Sequence, residues 1–460
     1  MEKLLWCLLL ASLSGVIFQV LNREFNHDEL EAVHAAWKIL HGEKIYIDFF
    51  QHHHPFLYYL LTPILVVFGE NTNSILATRL IIFAMLLLVL HVTYYLAENI
   101  FNRGSGIFSL ALLAITPVFS NSAFEIRPDV PQTLFGLAAL LFLFIYLENL
   151  SLRYLIMSSV FLGVSFLFLQ KAIFLIAPIA ALLTIRTYKR QISFLDYFIY
   201  FLTLLLTISP YYIYLVHEGA LYSYFIFNWV LNAKFLSQPS QLEILYGTLG
   251  YAIITNLLIW IFYFWGLKDF IKNIKQKEFA FVSVSLLISL VFFRAPHKQY
   301  FIMIIPLVAI ISGFVFHSIF SRNRYKILIN ISIVLYMIVS ASLFLFFSFC
   351  EIHSNWYQFQ KINYVLSITN PKEFVYDGDI NFNVFRKDIS FFWFSVNPKM
   401  GALITYKTFS SYHYDIYNLI NTVKPKVISG NYIDNLTDKR ISNHYIQSQL
   451  YKDLLIRIEL

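Results

Sequence analysis

The chain has 460 residues, of which 58% are hydrophobic, 18% aromatic and only 13% charged. That composition, with a mean hydropathy of +0.63, excludes an ordinary soluble domain and points to a polytopic membrane protein. A net charge of +7 does not indicate a nucleic-acid partner, because Lys and Arg occur in short clusters between apolar runs, as inner-leaflet anchors do.

Residues 1–21 carry Lys3, an apolar run and "ASLSG". This resembles a signal peptide, but the run is long enough to cross a bilayer, so an uncleaved first helix is expected. In "NHDELEAVHAAWKIL" the residues Leu30, Val33, Trp37 and Leu40 share one helical face, which predicts a helix lying along the membrane surface. Asn26 followed three residues later by Glu29 has capping-box spacing and leaves Asp28 in the first turn. Both acids then either complement the helix dipole or serve a ligand. Further on, Pro55 opens an apolar stretch of about thirteen residues, too short to span and suited to a re-entrant or interfacial helix. The consecutive His52, His53 and His54 lack the i, i+4 spacing of helical metal ligands, so no metal site is predicted.

Apolar runs at 4–21, 74–97, 106–119, 130–147, 154–169, 172–185, 194–216, 244–265, 279–293, 300–317 and 327–349 predict about eleven membrane helices. Between them "NSAFEIRPDVPQTL" sets Glu125, Arg127 and Asp129 beside hydrocarbon. Such charges face either each other, as a salt bridge closing the hairpin, or a ligand. Lys171 stands almost alone at the tip of two apolar helices and either snorkels to headgroups or lines a site. "FRAPHKQY" adds Arg294, His297, Lys298 and Tyr300. With the first residues cytoplasmic, the basic linkers "RTYKRQ", "KDFIKNIKQK" and "SRNRYK" fall on one side, which the positive-inside rule favours. Those acids and cations, with residues 350–460, then lie outside. Cys7 and Cys350 fall on opposite sides, which excludes a disulfide between them.

The tail is polar and rich in Asn and Tyr. "NYVLSITNPKEFVYDGD" and "YDIYNLINTVKPKVISGNYI" each read as helix, turn and buried strand, predicting a small α/β domain large enough for its own core. The expected organisation is a transmembrane domain over 1–349, its first outer loop at 22–73, and an extracytoplasmic α/β domain over 350–460.

The order of these motifs is informative. An early "DE" pair, an amphipathic helix, a "G-x-x-x-Y-x-D-F" segment, "H-P" before a re-entrant helix, an "R-P-D" turn, a Lys between short helices and an outer Tyr before a Pro-containing helix together resemble the GT-C membrane glycosyltransferases. More narrowly, they are similar to the bacterial branch related to protein O-mannosyltransferases and the lipid A aminoarabinose transferase. The resemblance covers about residues 1–320 and implies a GT-C-like polytopic α-helical fold. It also implies a polyprenyl-phosphate sugar donor and a site at the outer face of the inner, or plasma, membrane. Asp28 and Asp129 match the family's two acidic positions. His54 stands where relatives often carry Lys, and a neutral imidazole there still donates a hydrogen bond.

On this reading Asp28 is the base that takes the proton of an acceptor hydroxyl, with Asp129 the second catalytic acid. The donor phosphate is met by His54, Arg127, Lys171, Lys298 and Tyr300, with Glu29 and His53 in support. The expected reaction inverts the anomeric centre and moves the sugar to an envelope glycan, lipid or protein. No cofactor is required; the acids would permit a divalent ion, which the resemblance does not demand. The alternative is a transporter or flippase of lipid-linked glycans, disfavoured because the polar residues gather on one side and no inverted repeat is visible. A membrane anchor with a catalytic tail is the third reading, and the tail shows no nucleophile, metal or phosphate motif.

Overall fold

A computed structural model describes residues 2–101, 103–232, 241–292, 297–321, 327–393 and 415–458. In chain order α1 (Glu2–Asn22), α2 (His27–Leu40), α3 (Phe56–Phe68) and α4 (Thr72–Ile100) precede the short α5 (Ser105–Ala114) and α6 (Pro117–Ser120). Then come α7 (Asp129–Asn149), α8 (Leu152–Phe168), α9 (Ile173–Tyr188), α10 (Phe194–His217) and α11 (Leu221–Phe225). The apolar part ends with α12 (Gln241–Thr255), α13 (Leu257–Trp265), α14 (Ile274–Ser289), α15 (Phe301–Ser321) and α16 (Ile327–Cys350).

Each predicted apolar run is mainly helical where it is described, but among the described residues the count of about eleven spans is not confirmed. Among the described residues seven helices are long and apolar enough to cross a membrane, or eight if one bent pair counts as a span. The causes are local. Thr116 and Pro117 divide the run at 106–119 into α5 and α6, since proline cannot continue the preceding helix. The run at 244–265 turns by 92° between α12 and α13. There Asn256 accepts from the Ile259 amide at 3.3 Å and donates to Thr116 Oγ1 at 2.7 Å, so a side-chain cap restarts the helix in mid-run. The 17-residue α8 falls just short of spanning length.

The chain divides into two compact units. The first takes Met1–Leu21, Leu80–Tyr214 and Ser237–Ile352. At its centre α15 is buried without interruption from Phe301 to Gly313. It approaches α5 so closely that a Cβ on Gly313 would lie 2.2 Å from Ser109 Oγ and 2.5 Å from the Ser109 nitrogen. Cys7 and Cys350 are both unpaired.

The second unit joins Asn22–Arg79 and Leu215–Leu236 to His353–Leu460, so the first loop is grouped with the tail. The tail carries α17 (Trp356–Ser367), α18 (Ile416–Val423) and α19 (Lys439–Ser442), with β1 (Phe374–Tyr376), β2 (Lys387–Asp388), β3 (Val427–Ser429), β4 (Tyr445–Gln447) and β5 (Leu454–Arg457). The sheet order is β2-β1-β3-β5-β4. Strand β1 runs parallel to β2 and β3, while β5 runs antiparallel to β3 and β4. Both helix–turn–strand readings therefore hold, as α17 into β1 and α18 into β3. Ile420, Ile428, Ile441, Tyr445 and Leu455 close a core over the sheet.

Helix α2 is expected to be amphipathic, with a solvated polar side, but every residue from Glu29 to Lys38 is buried. Its polar side meets protein rather than water. His34 sets Nδ1 3.0 Å from the Val384 carbonyl and Nε2 2.9 Å from Asp388 Oδ2, and Lys38 pairs with the same carboxylate. Trp37 Nε1 donates to Glu70 at 2.8 Å, and Arg386 pairs with the other Glu70 oxygen at 2.9 Å. A periodicity argument assigns charged positions to solvent; here His34 and Lys38 are matched by a carboxylate more than 300 residues away in the chain.

Burial opposes the charge on Asp388, but His34 and Lys38 outweigh it and hold the carboxyl below its ordinary range. A carboxyl lowered on folding contributes stability at neutral pH and loses that contribution as pH falls through its folded value. Thermal unfolding in detergent should therefore show a fall in midpoint on acidification toward about pH 3. Asp388→Asn should unfold at lower temperature than wild type at neutral pH and show a shallower acid dependence.

Candidate active site

In the second unit the N-terminus of α2 is built by a complete capping box. The Glu29 amide donates to Asn26 Oδ1 at 3.0 Å, and the Asn26 amide donates to Glu29 Oε2 at 3.2 Å. Glu29 also takes a two-pronged contact from Arg79, Nε to Oε1 at 2.9 Å and Nη2 to Oε2 at 2.7 Å, with both side chains fully buried. The remaining guanidinium donors reach the Arg23 carbonyl at 2.6 Å and the Glu24 carbonyl at 3.3 Å. The guanidinium carbon lies 3.4 Å from the Phe25 ring centroid. Glu29 is thus a framework acid, and the turn that it braces presents Asp28. The Asp28 side chain is 35% exposed, with Oδ1 3.3 Å from His27 Nε2, and it sits in the first helical turn, where unbonded amides favour an anion.

The histidines are placed by backbone bonds. Tyr46 Oη donates to the His53 carbonyl at 2.7 Å, and Asn232 Nδ2 donates to the His52 carbonyl at 2.9 Å. His52 and His53 are half-buried, their ring centroids 4.0 Å apart. His54 is fully buried, with Nε2 2.9 Å from Tyr224 Oη, which accepts from Trp229 Nε1 at 3.1 Å. A phosphate contact through that nitrogen would first have to displace Tyr224.

The first unit gathers four of the expected residues. Asp129 opens α7, where its carboxylate lies 3.5 Å from Arg127 Nε and 3.5 Å from Lys171 Nζ. Lys171, on the 3-10 turn Gln170–Ala172, also stands 3.3 Å from the centroid of the Tyr300 ring, a cation–π contact. The hairpin is closed by the Arg127–Asp129 pair, and Lys171 joins it. Asp129 Oδ1 and Oδ2 thus each face one cation, and Gln132, Ser289 and Gln299 help line a small cavity of about 30 Å³ beside them. Lys298 is exposed on the turn Lys298–Tyr300, while Arg294 lies outside the described residues. Among the described residues no group of three or more His, Cys, Asp or Glu is arranged to hold a metal ion.

Arg79 carried a legible signal that periodicity passed over, as the lone charge inside the apolar run 74–97. Tyr224 and Asp388 carried none, since His54 and His34 are remote from them in sequence.

Removing either member of the buried pair leaves a charge without a counterion in a dry site, at a cost of about 3–5 kcal/mol. Glu29→Gln and Arg79→Met should each lower the unfolding midpoint by several degrees, measured by thermal unfolding in detergent. The double variant should recover part of the loss.

Residues 52–214 match the family model described as dolichyl-phosphate-mannose-protein mannosyltransferase. No curated protein sequence matches the chain. Among solved structures, ArnT from Cupriavidus metallidurans bound to undecaprenyl phosphate is similar at 12% identity and TM-score 0.66, covering 97% of this chain and 96% of that one. Its apo state gives TM-score 0.68 at 12% identity, covering 98% and 97%. The Archaeoglobus fulgidus oligosaccharyltransferase in the apo form gives TM-score 0.57 at 13% identity, covering 92% of this chain and 69% of that one. The chain has the fold of the GT-C membrane glycosyltransferases, and residues 52–214 carry the match to the mannosyltransferase family model.

Proposed function

We propose that the protein moves a sugar from a polyprenyl phosphate to a hydroxyl of an envelope glycan, lipid or protein at the outer face of the inner, or plasma, membrane. The observation that carries this reading is the pairing of two cations, Arg127 and Lys171, on the single buried carboxylate of Asp129. The lipid phosphate seen in the ArnT structure is the kind of ligand that such cations suit. In an apolar setting a phosphate that leaves with growing negative charge is stabilised by cations already fixed in place.

The acceptor hydroxyl gives its proton to Asp28 while its oxygen bonds to the anomeric carbon. The bond from that carbon to the phosphate oxygen breaks, and its electron pair leaves with the polyprenyl phosphate, so the anomeric centre inverts. Asp28 suits the role of base through its partial exposure and its place on a turn that Glu29 and Arg79 hold rigid. Asp129 keeps Arg127 and Lys171 in position, with Tyr300 against the Lys171 ammonium and Lys298 as a further cation. His54 acts through Tyr224 and Trp229 to set the start of α3, with His53 beside it. The basic linkers at 186–191 and 268–277 support a cytoplasmic N-terminus and an outer tail.

The test uses purified protein in lipid with radiolabelled polyprenyl-phosphate sugars and extracted envelope acceptors. Asp28→Asn should bind donor as wild type does while transfer falls by about 10²- to 10⁴-fold. Lys171→Met should weaken donor binding itself. Full transfer by a folded Asp28→Asn protein would remove Asp28 from the reaction, and failure of wild type to bind any such donor would remove the reading as a whole.

A further inference from the structure

The tail contains a pocket that the proposed transfer chemistry leaves unused. From β1 the chain passes to β2 on one side and then to β3 on the other, and all three strands run parallel. The boundary between β1 and β3 is therefore the point where strand order reverses, and open α/β sheets bind ligands outside the carboxyl ends of their strands at such points. A cavity of about 270 Å³ opens there. It is lined by Asp377, immediately after β1, by Ser429 at the end of β3, and by the following Asn431 and Tyr432. Lys361 and Asp453 complete its polar wall.

One group in this wall is incomplete. Asp377 is 2% exposed, and its Oδ2 accepts from the Asn381, Phe382 and Asn383 amides at 2.7, 2.7 and 2.9 Å. Oδ1 receives no hydrogen bond among the described residues. A buried acceptor in that state is costly unless something fills it. Burial pushes the Asp377 carboxyl up to about 7 against the pull of those amides and of Lys361, so a donor placed at Oδ1 would favour the ionised form. Gly378, at φ +77°, lets the Tyr432 ring close on the loop, since a Cβ there would lie 2.3 Å from the ring.

The chemistry of the wall narrows the occupant. Asp377, Asp453 and Glu24 face a single ammonium, Lys361, which is already paired with Asp453; an anionic ligand would be repelled. The volume, about 270 Å³, suits a small ligand such as a single sugar residue. Carboxylate, amide and ammonium groups beside a tyrosine ring suit a small polyol, with hydroxyls for the polar atoms and a C–H face for the ring.

We propose that this pocket at the carboxyl ends of β1 and β3 is a saccharide-binding subsite, taking one neutral or amine-bearing sugar residue with a hydroxyl or ammonium on Asp377 Oδ1. That the sugar belongs to the acceptor rests on the glycosyltransferase reading; that the pocket binds sugar does not.

The experiment is ligand-observed NMR and calorimetry on the full chain in lipid nanodiscs, with methyl glucoside, glucosamine and inorganic phosphate as probes and no lipid donor present. Wild type should bind both sugars, glucosamine more tightly, and should not bind phosphate. Asp377→Asn should weaken glucosamine by about tenfold or more, the loss of a charge-assisted hydrogen bond. Asn431 is exposed, so Asn431→Trp should obstruct the pocket without lowering the unfolding midpoint, and it keeps the test decisive if Asp377→Asn does not fold. Asp28→Asn should bind the sugars as wild type does, which separates this site from transfer. No binding of either sugar to wild type, equal binding to wild type and Asn431→Trp, or preferential binding of phosphate would each overturn the proposal.

Discussion

The second unit depends on one buried ion pair. Arg79 and Glu29 are withdrawn wholly from solvent, and each would be intolerable there alone. Their geometry meets that demand with two parallel contacts, while the leftover guanidinium donors hold the carbonyls of Arg23 and Glu24. Because Glu29 is also a partner in the capping box, the same pair sets where α2 begins and therefore where Asp28 is presented. A residue assigned to chemistry is thus held by neighbours whose own role is electrostatic bookkeeping.

The same principle runs along α2. Glu31, His34 and Lys38 are buried, and each finds a polar partner: Glu31 accepts from Gln51, and His34 and Lys38 share Asp388. Arg386 and Trp37 meet on Glu70. The first loop and the tail fall in one unit, and these buried charges link them. In the first unit the solution is repeated in smaller form, with Asp129 between Arg127 and Lys171. A group so paired is already oriented, as the proposed transfer of a sugar from a phosphate would require.

The pocket at the ends of β1 and β3 is the exception to this economy. The buried carboxylates of Glu29 and Asp388 meet cations; at Asp377 three amides converge on one oxygen, and the other receives no hydrogen bond among the described residues. Topology alone marks the place, since it lies where the parallel strands change direction of addition.

Much of this was legible in the residues. Composition settles a helical membrane protein, because apolar runs of that length have no soluble use. Asn26 and Glu29 spell their capping box within four positions, and the helix–turn–strand pairs of the tail follow from local periodicity and Pro425. Asp129, Arg127 and Lys171 stood out because charge beside hydrocarbon is expensive wherever it occurs. What tertiary structure decided is everything whose partner is distant. Asn256 bends a run that hydropathy reads as one span, because it caps a helix against Thr116. Helix α2 is enclosed because Asp388 answers its polar face, and His54 turns to Tyr224. Local energies are written in neighbouring residues, whereas the pairing of buried charges depends on which remote group arrives, and only the folded chain brings them together.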